Sequence, residues 1–93
     1  MTIKLNNELK EIKMLDQNLN DTVISLRRKS AEYYQKAAWN QLLALDNYRE
    51  KNFEAAERFA QLSFEDQMNA VEFAELADAE SLIFLDLNIE EEY

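Results

Sequence analysis

No glycine, proline, cysteine or histidine occurs anywhere in these 93 residues. Average usage would put about eleven glycines and prolines into a chain of this length. Without glycine, turns that need a positive φ fall to Asn or Asp, and tight β-hairpins become hard to build. The phosphate-cradling glycine loops and the strand-to-helix nucleophile elbow are excluded as well. Without cysteine there is no disulfide framework, thiolate nucleophile or thiolate-held metal. Without histidine the usual general base is gone, and with it zinc and Glu-x-x-His di-iron sites of the familiar kinds. Helices tolerate all of these absences, so the expected fold class is all-α. With no catalytic residue, cofactor site or metal site indicated, the chain reads as a non-enzymatic protein.

Positive charge is also missing where it would matter. Residues 1–50 hold eight basic and seven acidic side chains, whereas the 35 residues after Arg58 hold ten Asp and Glu and no Lys or Arg. The whole chain carries a net charge of −9. Like charges gathered on one half repel and oppose compaction, which points to a positively charged partner. Direct nucleic-acid binding is not expected, because the only basic cluster is Arg27-Arg28-Lys29 with Lys36. Those bases are expected to pair with acids further along the chain, within one molecule or across a homodimer. The opening Met1-Thr2-Ile3-Lys4 leads into a polar segment and no apolar run approaches the ~20 residues of a membrane span, so a soluble cytoplasmic protein is expected.

At 47% hydrophobic and 11% aromatic residues the chain has enough apolar surface to fold. One domain over residues 1–89 is expected, with 90–93 as an acidic tail. Leu5, Leu9, Ile12, Leu15 and Leu19 recur at intervals of three and four, which predicts a first helix over 3–19 with Thr2 as N-cap. Leu5, Ile12, Leu19, Leu26 and Tyr33 are seven apart, as in a coiled-coil seam. Their companions Leu9, Asp16, Val23, Ser30 and Ala37 are half polar, however, and Asn20 or Asp21 can cap a new helix, so the pattern predicts a break near residue 20. The second helix, 22–50, carries two adjacent stripes. One holds Val23, Leu26, Ser30, Tyr33, Ala37, Ala44 and Tyr48; the other holds Ile24, Ala31, Tyr34, Ala38, Leu42 and Leu45. So wide an apolar face suits contact with two neighbours. Arg49-Glu50-Lys51-Asn52 is the clearest turn, with Asn52 as N-cap of a third helix over 53–85. Ser63-Phe64-Glu65-Asp66 has the form of a capping box but reads as mid-helix. The end is ambiguous: Ile83, Leu85, Leu87 and Ile89 alternate as in a strand that could join a partner's sheet, while Leu82, Leu85 and Ile89 fit a helix. The architecture expected is a long antiparallel hairpin with an additional N-terminal helix packed across it, a three-helix bundle.

The segment Ala38-Trp39-Asn40-Gln41-Leu42-Leu43-Ala44, then Tyr48, Lys51-Asn52-Phe53-Glu54-Ala55-Ala56 and Phe59, resembles one tetratricopeptide-type hairpin in its order of small and aromatic packing residues. It is similar too to the hairpins of microtubule-interacting and trafficking domains. The resemblance covers residues 38–64, lacks the repeat's closing Pro and turn Gly, and has no second copy in register. It implies a packed antiparallel hairpin and a role in peptide or protein binding.

The candidate site is a partner-binding one. Glu65, Asp66, Glu72, Glu75 and Asp78 lie among apolar residues of the third helix, and Glu72, Glu75 and Asp78 rise by three residues at a time, about 4.5 Å per step. They are expected to face a basic surface of another protein, with Trp39 and Tyr34 as aromatic anchors. Glu72-x-x-Glu75 alone is too unspecific to assign a metal. A solvated helix face that only keeps the protein soluble accounts for the same carboxylates, and two further alternatives stand beside this reading. One is a structural homo-oligomer joined along the Leu5–Leu26 seam. In the other, the carboxylate row mimics nucleic acid and inhibits a nucleic-acid-binding protein. In size and charge, though by no motif, the chain resembles small acidic phage-encoded inhibitors, including some anti-CRISPR proteins.

Overall fold

Nothing between Thr2 and Arg49 is strong enough to stop a helix, and none stops: α1 runs unbroken over Thr2–Arg49 and α2 over Phe53–Glu92. The computed structural model describes the backbone of residues 2–92 and the side-chain surroundings of residues 17–86. The expected separate N-terminal helix packed across the hairpin is therefore not formed, and the bundle has two helices where three were expected. At the predicted break, the polar side chains bond along the helix instead of capping a new one. Gln17 Nε2 donates to Asp21 Oδ1 at 3.1 Å and Thr22 Oγ1 donates to the Asn18 carbonyl at 2.9 Å. Both are four-residue contacts that a continuous helix allows. At the other end, residues 83–89 are helical, and α2 continues through Glu90 and Glu91 to Glu92, where an acidic tail was expected. Tyr93 lies outside the described residues.

The turn is built without glycine. The Asn52 amide donates to the Asn47 carbonyl at 2.8 Å and the Lys51 amide to the Tyr48 carbonyl at 3.0 Å. This nested pair of bonds closes a helix end when one residue takes the left-handed conformation. Lys51 takes it, at φ 64°, where Asn or Asp was expected. Asn52 then accepts the first bond of α2, from the Ala56 amide at 3.0 Å, and so stands at the N-cap position.

The two helices pack antiparallel along small residues. Ser30, Ala37 and Ala44 on α1 are buried, as are Ala56, Ser63, Ala70 and Ala77 on α2. Each set repeats every seven residues, the period that keeps one line of an α-helix facing its neighbour. The register follows from two hydrogen bonds: Ser30 Oγ donates to the Ala70 carbonyl at 2.8 Å, and Ser63 Oγ to the Ala37 carbonyl at 2.7 Å. Seven residues further along, Ala44 falls opposite Ala56, and Val23 opposite Ala77. A serine hydroxyl reaches the opposing backbone only when the helices sit close together, at about 8 Å, the short end of the usual range. The line that reads as half polar in the sequence is therefore the one the fold buries. Ser30 is no defect in it, because its hydroxyl has a carbonyl to bond.

A second line runs beside the first. Tyr33 stacks on Phe73 with ring centroids 5.7 Å apart, and Asn40 Nδ2 donates to Asp66 Oδ2 at 2.8 Å. Leu19, Leu26 and Asn47 continue it on α1 as half-buried positions. The hairpin is elongated, 75 × 17 × 13 Å, and among the described residues no large side chain is fully buried.

Candidate interaction surfaces

Because the helices meet along alanine and serine, their larger apolar side chains are left on the flanks. Two contacts define one flank. Arg27 pairs with Asp78 at 2.7 Å, and Tyr48 Oη donates to Glu57 at 2.5 Å. Arg27, Tyr34, Gln41 and Tyr48 are seven apart on α1, and Asp78, Val71, Phe64 and Glu57 are seven apart on α2. The two contacts thus tie the ends of two facing rows about 31 Å long. Phe53, whose ring lies 6.5 Å from that of Tyr48, and Ala60, Gln67 and Ala74 fill out the α2 side of this flank. Ile24, Ala31, Ala38 and Leu45 fill out the α1 side. Between the two tying contacts the rows carry no charged residue. Ile24, Tyr34, Leu45, Phe53 and Phe64 are all exposed here, Phe64 at 61% of its surface. This is the second of the two stripes read on the second helix. The separate N-terminal helix expected to pack across the hairpin is not there to cover it.

The Tyr48 hydroxyl is held in its neutral form. The hydrogen bond to Glu57 raises its pKa above the usual 10.0, with smaller contributions from desolvation and from the carboxylate charge nearby. Arg27 meets its acid within the molecule, one of the two arrangements expected for the basic cluster. Lys29 and Lys36 instead lie over aromatic rings, Lys29 5.5 Å from the Phe73 centroid and Lys36 4.8 Å from that of Tyr33. They border the opposite flank. There Glu32, Gln35, Lys36, Trp39, Asn40 and Asp66 line a shallow open groove of about 410 Å³.

The seven candidate partner-binding residues do not form one surface. Glu65 and Glu72 share an exposed outer row of α2, continued after Ala79 by Asp86, with Glu75 exposed nearby. Asp66 turns inward, half-buried against Asn40, and Asp78 is held by Arg27. A rise of three residues turns the helix back by about 60° each time, so Glu72, Glu75 and Asp78 wind from the outer face to the apolar flank. Trp39 is 63% exposed at the groove, on the flank away from Tyr34, which is 45% exposed. Of the adjacent tyrosines it is Tyr33 that packs inward, on Phe73.

Sequence reasoning singles out Tyr34 but misses Phe64, Leu45 and Phe53 as surface residues. Nothing in the spacing of Phe53 and Phe64 says which apolar stripe meets the neighbouring helix. The small-residue line at intervals of seven is the available signal. Among the described residues no group of three Asp or Glu is placed to hold a metal ion. No helix, among the same residues, is long and apolar enough to cross a membrane. Comparison with protein-family models, with curated proteins and with solved structures finds no match to this chain.

Proposed function

We propose that this chain is a non-enzymatic protein-interaction module, a helical hairpin that docks through its side faces. The observation that carries the reading is the uncharged apolar flank centred on Tyr34 and Phe64, left uncovered by a fold whose buried residues are alanine and serine. Uncovered patches of this kind, bounded by polar residues, mark binding surfaces in soluble proteins. The test is to replace Tyr34 and Phe64 together by serine and follow association of the chain. Loss of association with helix content retained supports the module; unchanged association removes the flank from it.

A second reading concerns a different partner and rests on a different observation. Glu65, Glu72 and Glu75 are exposed on a stretch of α2 without any basic residue, which suits a basic protein surface, including that of a nucleic-acid-binding protein. Asp66 and Asp78, already engaged with Asn40 and Arg27, drop out of this row. Affinity capture from cell lysate at low and high salt tests it with Glu72→Lys/Glu75→Lys. The reversal is expected to abolish whatever captured protein is released by salt, and capture that is indifferent to both refutes the acidic row.

A further inference from the structure

We propose that the occupant of the apolar flank is a second copy of this chain, packed about a two-fold axis to give a four-helix bundle. The inference rests on the reading of the chain as an interaction module, and it names the partner.

Three observations carry it. The first is area. A compact protein of 11.0 kDa exposes about 5,600 Å², whereas this hairpin exposes 7454 Å². The excess, about 1,800 Å² per chain, is surface that the elongated hairpin leaves open and that side-by-side pairing of two hairpins would reduce. The second is that the buried set among the described residues is five alanines and two serines. Each buries little apolar surface, so the hairpin needs its covering partner whenever it is folded. A second copy is always present in equal amount; a foreign partner is not. The third is the character of the flank. Along α1 it alternates Ala31, Tyr34, Ala38 and Leu45, and along α2 Ala60, Phe64, Val71 and Ala74. Small and large residues therefore offer gaps and ridges at one spacing, which two identical faces can interlock. The flank is also where a chain of net charge −9 can meet itself. Its charged boundary groups are engaged within the hairpin, Arg27 with Asp78 and Glu57 with Tyr48. The outer row of Glu65 and Glu72 points elsewhere and remains available to a basic partner.

The seam expected for a homo-oligomer, Leu5 to Leu26, is a different surface. Leu19 and Leu26 are half-buried on the line facing α2. Leu5 and Ile12 lie outside the residues whose side chains are described.

The experiment is the mass of the purified chain by light scattering across a range of concentrations, with two variants of equal design. Phe64→Glu and Trp39→Glu each replace an aromatic residue exposed to about the same extent, 61% and 63%, by a negative charge, on opposite flanks. The unaltered chain is expected at twice 11.0 kDa. Phe64→Glu is expected to weaken the dimer at least about a hundredfold, because two carboxylates are buried against each other's apolar flank. Trp39→Glu is expected to leave it intact. If Phe64→Glu instead unfolds, the unaltered chain should melt at a temperature that rises with concentration, as a dimer unfolding to separate chains must. A folded 11 kDa particle with a concentration-independent melting point overturns the proposal, as does a dimer broken by Trp39→Glu and not by Phe64→Glu. A monomer that still captures another protein through Tyr34 and Phe64 would overturn the self-pairing while leaving the interaction module standing.

Discussion

Replacing Ala70 by leucine should cost this fold about 2–4 kcal/mol. Ala70 has no exposed surface and lies opposite Ser30, whose hydroxyl donates to the Ala70 carbonyl at 2.8 Å. Three added carbons have nowhere to go except between the two backbones. Overfilling a packed position costs about 1–3 kcal/mol. If the helices separate to make room, the Ser30 bond and the Ser63 bond to the Ala37 carbonyl, 2.7 Å long, stretch together. Each is worth about 1 kcal/mol. A domain of this size has roughly 5–14 kcal/mol to lose, and the melting point should fall by roughly 10–25 °C. Ala79→Leu is the control, since the same carbons are added to an exposed position on the outer row, at an expected cost within about 0.5 kcal/mol. Urea and thermal unfolding followed by far-ultraviolet circular dichroism measure both, at one chain concentration because association contributes to stability. If Ala70→Leu costs no more than Ala79→Leu, the helices do not meet along the small-residue line and the register argued from the two serine bonds is wrong.

Other consequences are simpler to check. Lys51 holds φ at 64° without being glycine, so Lys51→Gly should stabilise the hairpin by about 0.5–1 kcal/mol, while Lys51→Val should destabilise it. Tyr48 should ionise above the usual 10.0 in an absorbance titration at alkaline pH, and Tyr48→Phe should remove that late phase. Because its folded pKa is raised, the stability from its bond to Glu57 is fully present below pH 10.0 and is lost as the pH climbs through the raised value. A difference titration between the unaltered chain and Tyr48→Phe that shows Tyr48 ionising at 10.0 or below would refute the bond. Asn40→Ala and Asp66→Ala should each cost about 1 kcal/mol, and the double variant little more than either, since the side chains bond each other across the helices. Additive costs in a urea double-variant cycle would place the two residues out of contact.

Much of the hairpin is legible in the amino-acid sequence. The glycine-free, proline-free composition points to helices, and Arg49 to Asn52 mark the turn, because polar residues there interrupt the apolar stripes on both sides. Local preference does not reveal that the chain stays helical through residues 17–22. Asn18, Asn20, Asp21 and Thr22 are poor helix formers taken singly, and only the four-residue bonds from Gln17 and Thr22 show how the helix absorbs them. The candidate site is legible in part: the exposed Glu65, Glu72 and Glu75 follow from helical spacing, while the engagement of Asp66 and Asp78 depends on side chains 26 and 51 residues away.

By itself, then, the sequence determined the helical class, the antiparallel hairpin and the acidity of the second helix, since these follow from residues acting within a turn or two of one another. Tertiary structure decided which apolar stripe is buried. Each helix carries several, and hydrophobicity alone favours the large residues. Close approach of two backbones favours the small ones, because each serine or alanine lets the helices come near enough to bond hydroxyl to carbonyl. That choice buries Ala70 and Ser63 and leaves Tyr34 and Phe64 uncovered, and the uncovered flank is what points beyond the single chain.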